Sequence, residues 1–97
     1  MFLEITDHEY ANLFDQSNPA PIAEANGSRY FSVPGPAAGM EFFVLADPGD
    51  GSFFLGKFGP EAFESFRADL KELRTEELMI KYGSPALQAA YYGVSMN

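Results

Sequence analysis

Few residues in this chain have the type and spacing for chemistry. His8 is the sole imidazole, Glu76 and Glu77 are adjacent carboxylates, and Asp47-Pro48-Gly49-Asp50-Gly51-Ser52 is rich in oxygen donors. A lone His is a general-base or metal-ligand candidate. A zinc site, however, needs three or four ligands, and the chain has no Cys to join His8. His8 therefore reads as an exposed first-turn helix residue. The Asp-Gly run lacks the alternating ligands of a calcium loop, and Phe58 stands where a bidentate acid would close one. It reads instead as a hairpin turn. Glu76 and Glu77 open a helix, where two acids are explained by the helix dipole. Ser28, Ser32, Ser52, Ser65, Ser84 and Ser95 fall in no nucleophile-elbow pattern. The expectation is a protein with no catalytic residue, no metal and no cofactor.

Charge placement carries more information. From Met1 to Gly56 stand eight carboxylates: Glu4, Asp7, Glu9, Asp15, Glu24, Glu41, Asp47 and Asp50. Arg29 is the only base in that stretch, which leaves it at −7 of the chain's net −8. From Lys57 onward six acids meet five bases. If the N-terminal segments share a face, the molecule has a one-sided negative field that steers cationic surfaces toward it. The same field opposes direct binding of nucleic acid or an anionic membrane. A merely solvated face usually mixes signs, and this one does not.

The elements that must position those acids follow from local signals. Thr6-Asp7-His8-Glu9 is a capping box with Ile5 and Tyr10 at the staple positions, and it predicts a helix over 7–16 that ends before Pro19. Phe2–Ile5 fits a short edge strand. The stretch 18–28, rich in Pro, Ala, Asn and Gly, reads as a surface connector. Arg29–Val33 reads as a strand, stopped by Pro34-Gly35-Pro36. Met40–Leu45 and Ser52–Phe58 flank a turn with Pro48 and Gly49 at its centre. Pairing symmetrically about Pro48 places Phe42 opposite Phe54 and Phe43 opposite Phe53, on opposite faces of one hairpin. Phe on both faces requires both to be at least partly covered, by helices, a partner or a second copy. Gly59-Pro60 opens an amphipathic helix over 60–74. Thr75 caps another, which Gly83 closes in a left-handed conformation. Ser84-Pro85 starts a last helix over 86–92, ended by Gly93, and 94–97 is a tail.

The whole is expected to be one domain, 1–97, of α+β class. A three- to four-stranded antiparallel sheet carries helices on one face, in the order (β)-α-β-β-β-α-α-α. Ninety-seven residues with ten Phe can build a single core without disulfides. The absence of Cys and of an apolar leader fits a cytoplasmic protein.

The functional expectation is a non-enzymatic acidic interaction module that blocks the basic, nucleic-acid-binding surface of a partner protein. Its partner-binding candidates are Glu4, Asp7, Glu9, Asp15, Glu24, Glu41, Asp47, Asp50 and the aromatic pair Tyr91 and Tyr92. Anti-CRISPR and other anti-defence proteins, and the immunity proteins of nuclease toxins, work on this logic; the analogy is one of class. The alternative is an oligomeric structural or accessory subunit, such as a homodimer that uses the aromatic hairpin as its interface. A small carboxylate-dependent enzyme is the third reading.

Overall fold

The computed structural model describes residues 1–25, 27–33 and 42–95. Five strands, β1 (Phe2–Ile5), β2 (Ala20–Ala25), β3 (Ser28–Val33), β4 (Phe42–Asp47) and β5 (Phe53–Phe58), form one antiparallel sheet in the order β1-β5-β4-β3-β2. Four helices accompany them: α1 (Asp7–Ser17), α2 (Pro60–Asp69), α3 (Thr75–Tyr82) and α4 (Pro85–Ser95). The fold is α+β, and β1 is the edge strand expected.

The sheet is wider than three or four strands because β2 lies inside the stretch read as a connector. Its composition is poor for a strand, yet Ala20–Ala25 pairs along β3, with a register irregularity between Pro21 and Ala23. Pro21 is tolerated because the strand is an edge. Ile22 and Ala23 pack against the core, so burial overrides propensity.

Strand alternation sorts the side chains into two faces. One face carries Phe2, Tyr30, Val44, Ala46, Phe54 and Phe58, which join Phe63, Phe66, Leu78, Met79 and Leu87 of α2, α3 and α4 in the main buried cluster. Phe66 stacks on Phe58 with centroids 4.9 Å apart and meets the rings of Phe2, Tyr30 and Tyr82 edge-on. Phe42 and Phe63 stack at 4.6 Å. The opposite face carries Phe31, Leu45 and Phe53, and α1 lies on it. Tyr10 sits 4.6 Å from Phe53, and Phe14 meets Phe31 edge-on at 5.0 Å. The expectation of helices on one face is thus corrected. Apolar side chains on both faces need cover on both, and α1 supplies part of the second.

The β4–β5 register also differs from the symmetric one. Phe42 pairs with Phe58, Leu45 with Leu55 and Ala46 with Phe54, a displacement of four residues along β5. The turn is centred on Asp50 and not on Pro48, because β4 runs on to Asp47 and β5 starts at Phe53. Within it the Asp47 carboxylate accepts from Gly49 N–H and that of Asp50 from Ser52 N–H, each at 3.0 Å. An even displacement preserves facing. Phe42 and Phe54 therefore still share one face and Phe43 and Phe53 the other, although they are not cross-strand partners.

Helix ends differ in detail. α2 stops at Asp69, short of 74, and Arg74 rather than Thr75 is the N-cap of α3. Gly83 is extended (φ −79°) and not left-handed, since Ser84 N–H donates to the carbonyl of Phe2 at 2.8 Å and draws the chain back to β1. Gly83 is needed for closeness: a Cβ there would lie 2.1 Å from the Met79 carbonyl oxygen. α4 runs through Gly93 to Ser95 and does not end at Gly93, and residues 96 and 97 of the expected tail lie outside the described residues. Among the described residues, no helix is long and apolar enough to cross a membrane.

Candidate functional site

The acidic region is organised by α1. Thr6 Oγ1 accepts from Glu9 N–H, and the Glu9 carboxylate accepts from Thr6 N–H, both at 3.0 Å. This reciprocal box fixes the start of the helix directly after β1. The Thr6 amide donated to Glu9 holds its carboxyl below the usual range. Asp7 accepts from His8 N–H at 2.8 Å, and His8 is exposed. At the far end, Asn18 adopts φ 49°, and its N–H donates to the Phe14 carbonyl.

Asp7, Tyr10, Ala11, Phe14 and Asp15 recur at i, i+3, i+4, i+7 and i+8, so they form one stripe of α1. Tyr10 and Phe14 anchor that stripe on Phe53 and Phe31. Ala11 is exposed and too small to fill the space between them. An open groove of about 390 Å³ results, lined by this stripe and by Phe31, Phe53, Arg29 and Asp47 of the sheet. A second groove of about 490 Å³ lies at the start of α1. It brings Glu4, Asp7 and Glu9 against Gly51 and Ser52 of the β4–β5 turn.

The expected partner-binding residues divide accordingly. Glu4, Asp7, Glu9 and Asp15 are exposed and border one or both grooves. Asp50 is exposed in the neighbouring turn, with its carboxylate accepting from Ser52 N–H. Glu24 is exposed on β2, in register with Arg29 of β3. Asp47 departs from the expectation of an exposed contact residue. Its side chain is 10% exposed and bonded to the Arg29 guanidinium at 2.7 Å, so it serves the fold. Glu41 lies outside the described residues. Tyr91 and Tyr92 fall on α4, and their side chains lie outside the described part.

Helix physics explains some of these acids and not others. Asp7 and Glu9 sit in the first turn, where carboxylates stabilise. Asp15 sits near the C-terminal end, where the dipole disfavours an anion by about 0.3–1 kcal/mol. It makes no hydrogen bond or ion pair with another described residue.

Among the described residues, Arg29 is the one base beside α1, and it is paired with Asp47. Lys57 is at the far end of β5 from Phe53, roughly 13 Å along the strand. Arg67 and Lys81 lie on the helices of the other face, and Arg74 is the N-cap of α3. Lys81 pairs with Asp69 at 2.7 Å and Arg74 with Glu77 at 3.5 Å. Lys81 holds the Asp69 carboxyl below its ordinary value, assisted by the Tyr82 hydroxyl. Asp47 in turn raises the Arg29 guanidinium's affinity for its proton. Burial, reinforced by Asp47, pushes the Tyr10 phenol up, so Tyr10 stays neutral beside the acids.

No protein-family model matches the chain, and no curated protein or solved structure shows significant similarity to it. Among the described residues, no group of three or more His, Cys, Asp or Glu could hold a metal ion. The groove-lining residues Tyr10, Ala11, Phe14, Phe31 and Phe53 carry no charge and escape a reading based on acids. Their signal was the acid-bounded stripe from Asp7 to Asp15, visible once 3.6-residue periodicity is applied to both residue classes together.

Proposed function

We propose that this protein is a non-enzymatic interaction module whose α1 face engages a partner protein through a basic, nucleic-acid-binding surface and blocks it. Asp15 is the observation that supports the reading most. It is an exposed carboxylate with no partner among the described residues, kept at a helix end that disfavours it, on the same stripe as Asp7 and lining the groove with Tyr10 and Phe14. Stability gives no reason for that placement, and recognition of a cationic partner does. Steering would speed encounter and fix orientation, and partly exposed aromatic rings would supply affinity at contact.

The test is a pull-down at low and high salt with the wild type and the variant Asp7→Asn/Glu9→Gln/Asp15→Asn. Gln keeps the capping box intact. The reading expects a nucleic-acid-binding protein captured by the wild type at low salt, lost in high salt and lost with the variant. Capture indifferent to both changes would sink it.

A second reading, an oligomeric accessory subunit, is favoured by Leu3. It is 41% exposed on the edge strand β1, with Met1 53% exposed beside it and Leu55 as its cross-strand partner. Light scattering separates the two: a dimer that survives dilution supports this reading, and a monomer supports the first.

A further inference from the structure

We infer that the groove between α1 and the sheet is a receptor for an arginine side chain presented by the partner protein. The inference rests on the proposed function above and names the chemistry at its centre. The groove's walls are aromatic: Tyr10 and Phe14 from α1, Phe31 and Phe53 from the sheet. Phe14, Phe31 and Phe53 are only half-buried and keep part of their ring surfaces open to the groove. Tyr10 and Phe53 are tilted by 37°, while Phe14 and Phe31 stand at 84°, so ring faces and edges both border the space.

The ends of the groove are anionic. Asp7 and Asp15 bound the α1 stripe eight residues apart, about 12 Å along a helix. Rings at the sides and carboxylates at the ends complement a group that is planar, cationic and weakly hydrated. A guanidinium stacks on aromatic faces and pairs with carboxylates through its fork of N–H donors. An ammonium is a compact, strongly hydrated charge that loses more on entering such a site. The half-exposed Arg29 guanidinium also lines this groove, but it is paired with Asp47 at 2.7 Å, so the two charges offset and the excess left to the groove is that of Asp7 and Asp15. Asp15, with no described partner, is left for an incoming group.

The volume, about 390 Å³, falls within the range of about 300–1,000 Å³ seen for ligand clefts. Ala11 is what keeps it open, since any longer side chain on that exposed helical position would project between the rings.

The inference is tested by NMR titration of the full chain with a blocked peptide of alternating glycine and arginine. Matched peptides carry lysine or neutral citrulline in place of arginine. The arginine peptide is expected to shift the ring signals of Tyr10, Phe14, Phe31 and Phe53, to bind at least severalfold tighter than the lysine peptide, and to outcompete citrulline entirely. Ala11→Leu fills the groove and keeps every charge, so it is expected to weaken arginine-peptide binding at least tenfold. Phe14→Leu, which keeps apolar bulk and removes a ring face, should weaken it severalfold and covers the case in which Ala11→Leu loses helical circular dichroism. Binding that resists both substitutions but falls with Asp7→Asn/Glu9→Gln/Asp15→Asn would overturn the groove and leave the acidic-face reading standing. Equal binding of the citrulline or lysine peptide would overturn the choice of arginine. No response on α1 at low salt would overturn the groove and the reading beneath it.

Discussion

Arg29 and Asp47 are cross-strand partners on β3 and β4, and their side chains meet at 2.7 Å at the end of the sheet beneath α1. The relationship is asymmetric: the guanidinium is half exposed, and the carboxylate is nine-tenths hidden. The only base of the acidic stretch is therefore committed to an acid that a partner could hardly reach. The exposed carboxylates along α1 keep their excess of negative charge.

Arg29→Met is expected to destabilise by about 1–3 kcal/mol, because the largely buried Asp47 carboxylate loses its charged donor and keeps, among the described residues, only Gly49 N–H. Urea unfolding measures the loss. Adding Asp47→Asn should recover part of it, since no uncompensated charge then remains. A double variant as unstable as the sum of the two single changes would show that the pair is not coupled.

Gly49→Ala should cost about 1–2 kcal/mol, the penalty for a side chain at φ 88°. The added Cβ would also lie 2.9 Å from the Gly27 carbonyl oxygen of the β2–β3 turn. Thermal unfolding detects the change. Gly51→Ala makes a useful comparison: it has φ 91° but open space around it, so its loss should be the smaller of the two.

Phe66→Ala should cost about 3–5 kcal/mol. The residue is fully buried, and its ring joins Phe2 of β1, Tyr30 of β3, Phe58 of β5 and Tyr82 of α3. Phe14→Ala removes a half-buried ring from the α1 side and should cost less, about 1–2 kcal/mol. Denaturant midpoints that rank the two in the opposite order would contradict the placing of the main core.

Acid should weaken the protein in a way that Asp69 helps to set. Lys81, with Tyr82, depresses the Asp69 carboxyl, and the Thr6 amide depresses that of Glu9. A lowered folded-state value means that the charged form favours folding. That contribution is complete above the ordinary carboxylate range, about pH 4, and disappears as pH falls through the depressed values. Melting temperatures across acidic pH should drop, and Asp69→Asn should flatten part of the drop. Glu9 is exposed and the Lys81 partner of Asp69 is half exposed, so solvent screens both contributions and the effect should be modest.

Much of the fold was legible locally. The Thr6–Glu9 box placed the start of α1, and Gly59-Pro60 placed that of α2, because caps and proline torsions act within a turn. Ser84 likewise caps α4, accepting from Leu87 N–H at 3.3 Å. The β2 strand could have been read as well: Ala25 pairs with Ser28, leaving a two-residue connection at Asn26-Gly27, a strong hairpin signal. The Pro, Ala, Asn and Gly content of 18–28 points instead to a connector. Of the candidate site, the acids were legible by count. The groove was not, because half of its walls come from β3, β4 and β5, and their distance from α1 is not written in any local pattern.

By itself the sequence determined the α+β class, where α1, α2 and α4 begin, which Phe residues share a face of the β4–β5 hairpin, and that the acids crowd the first half. These follow from torsions, caps and two-residue alternation, all short-range. Tertiary structure alone decided the five-strand order, the register, the face α1 covers, and the withdrawal of Asp47 from the surface. The register shows why. Gly56 stands opposite Val44 and Phe2, and a Cβ there would lie 2.6 Å from the Phe58 ring and 2.7 Å from that of Phe2. The hollow at Gly56 accommodates a ring from a strand more than fifty residues away in the chain, and a fit between such distant parts exists only once the core has closed around them.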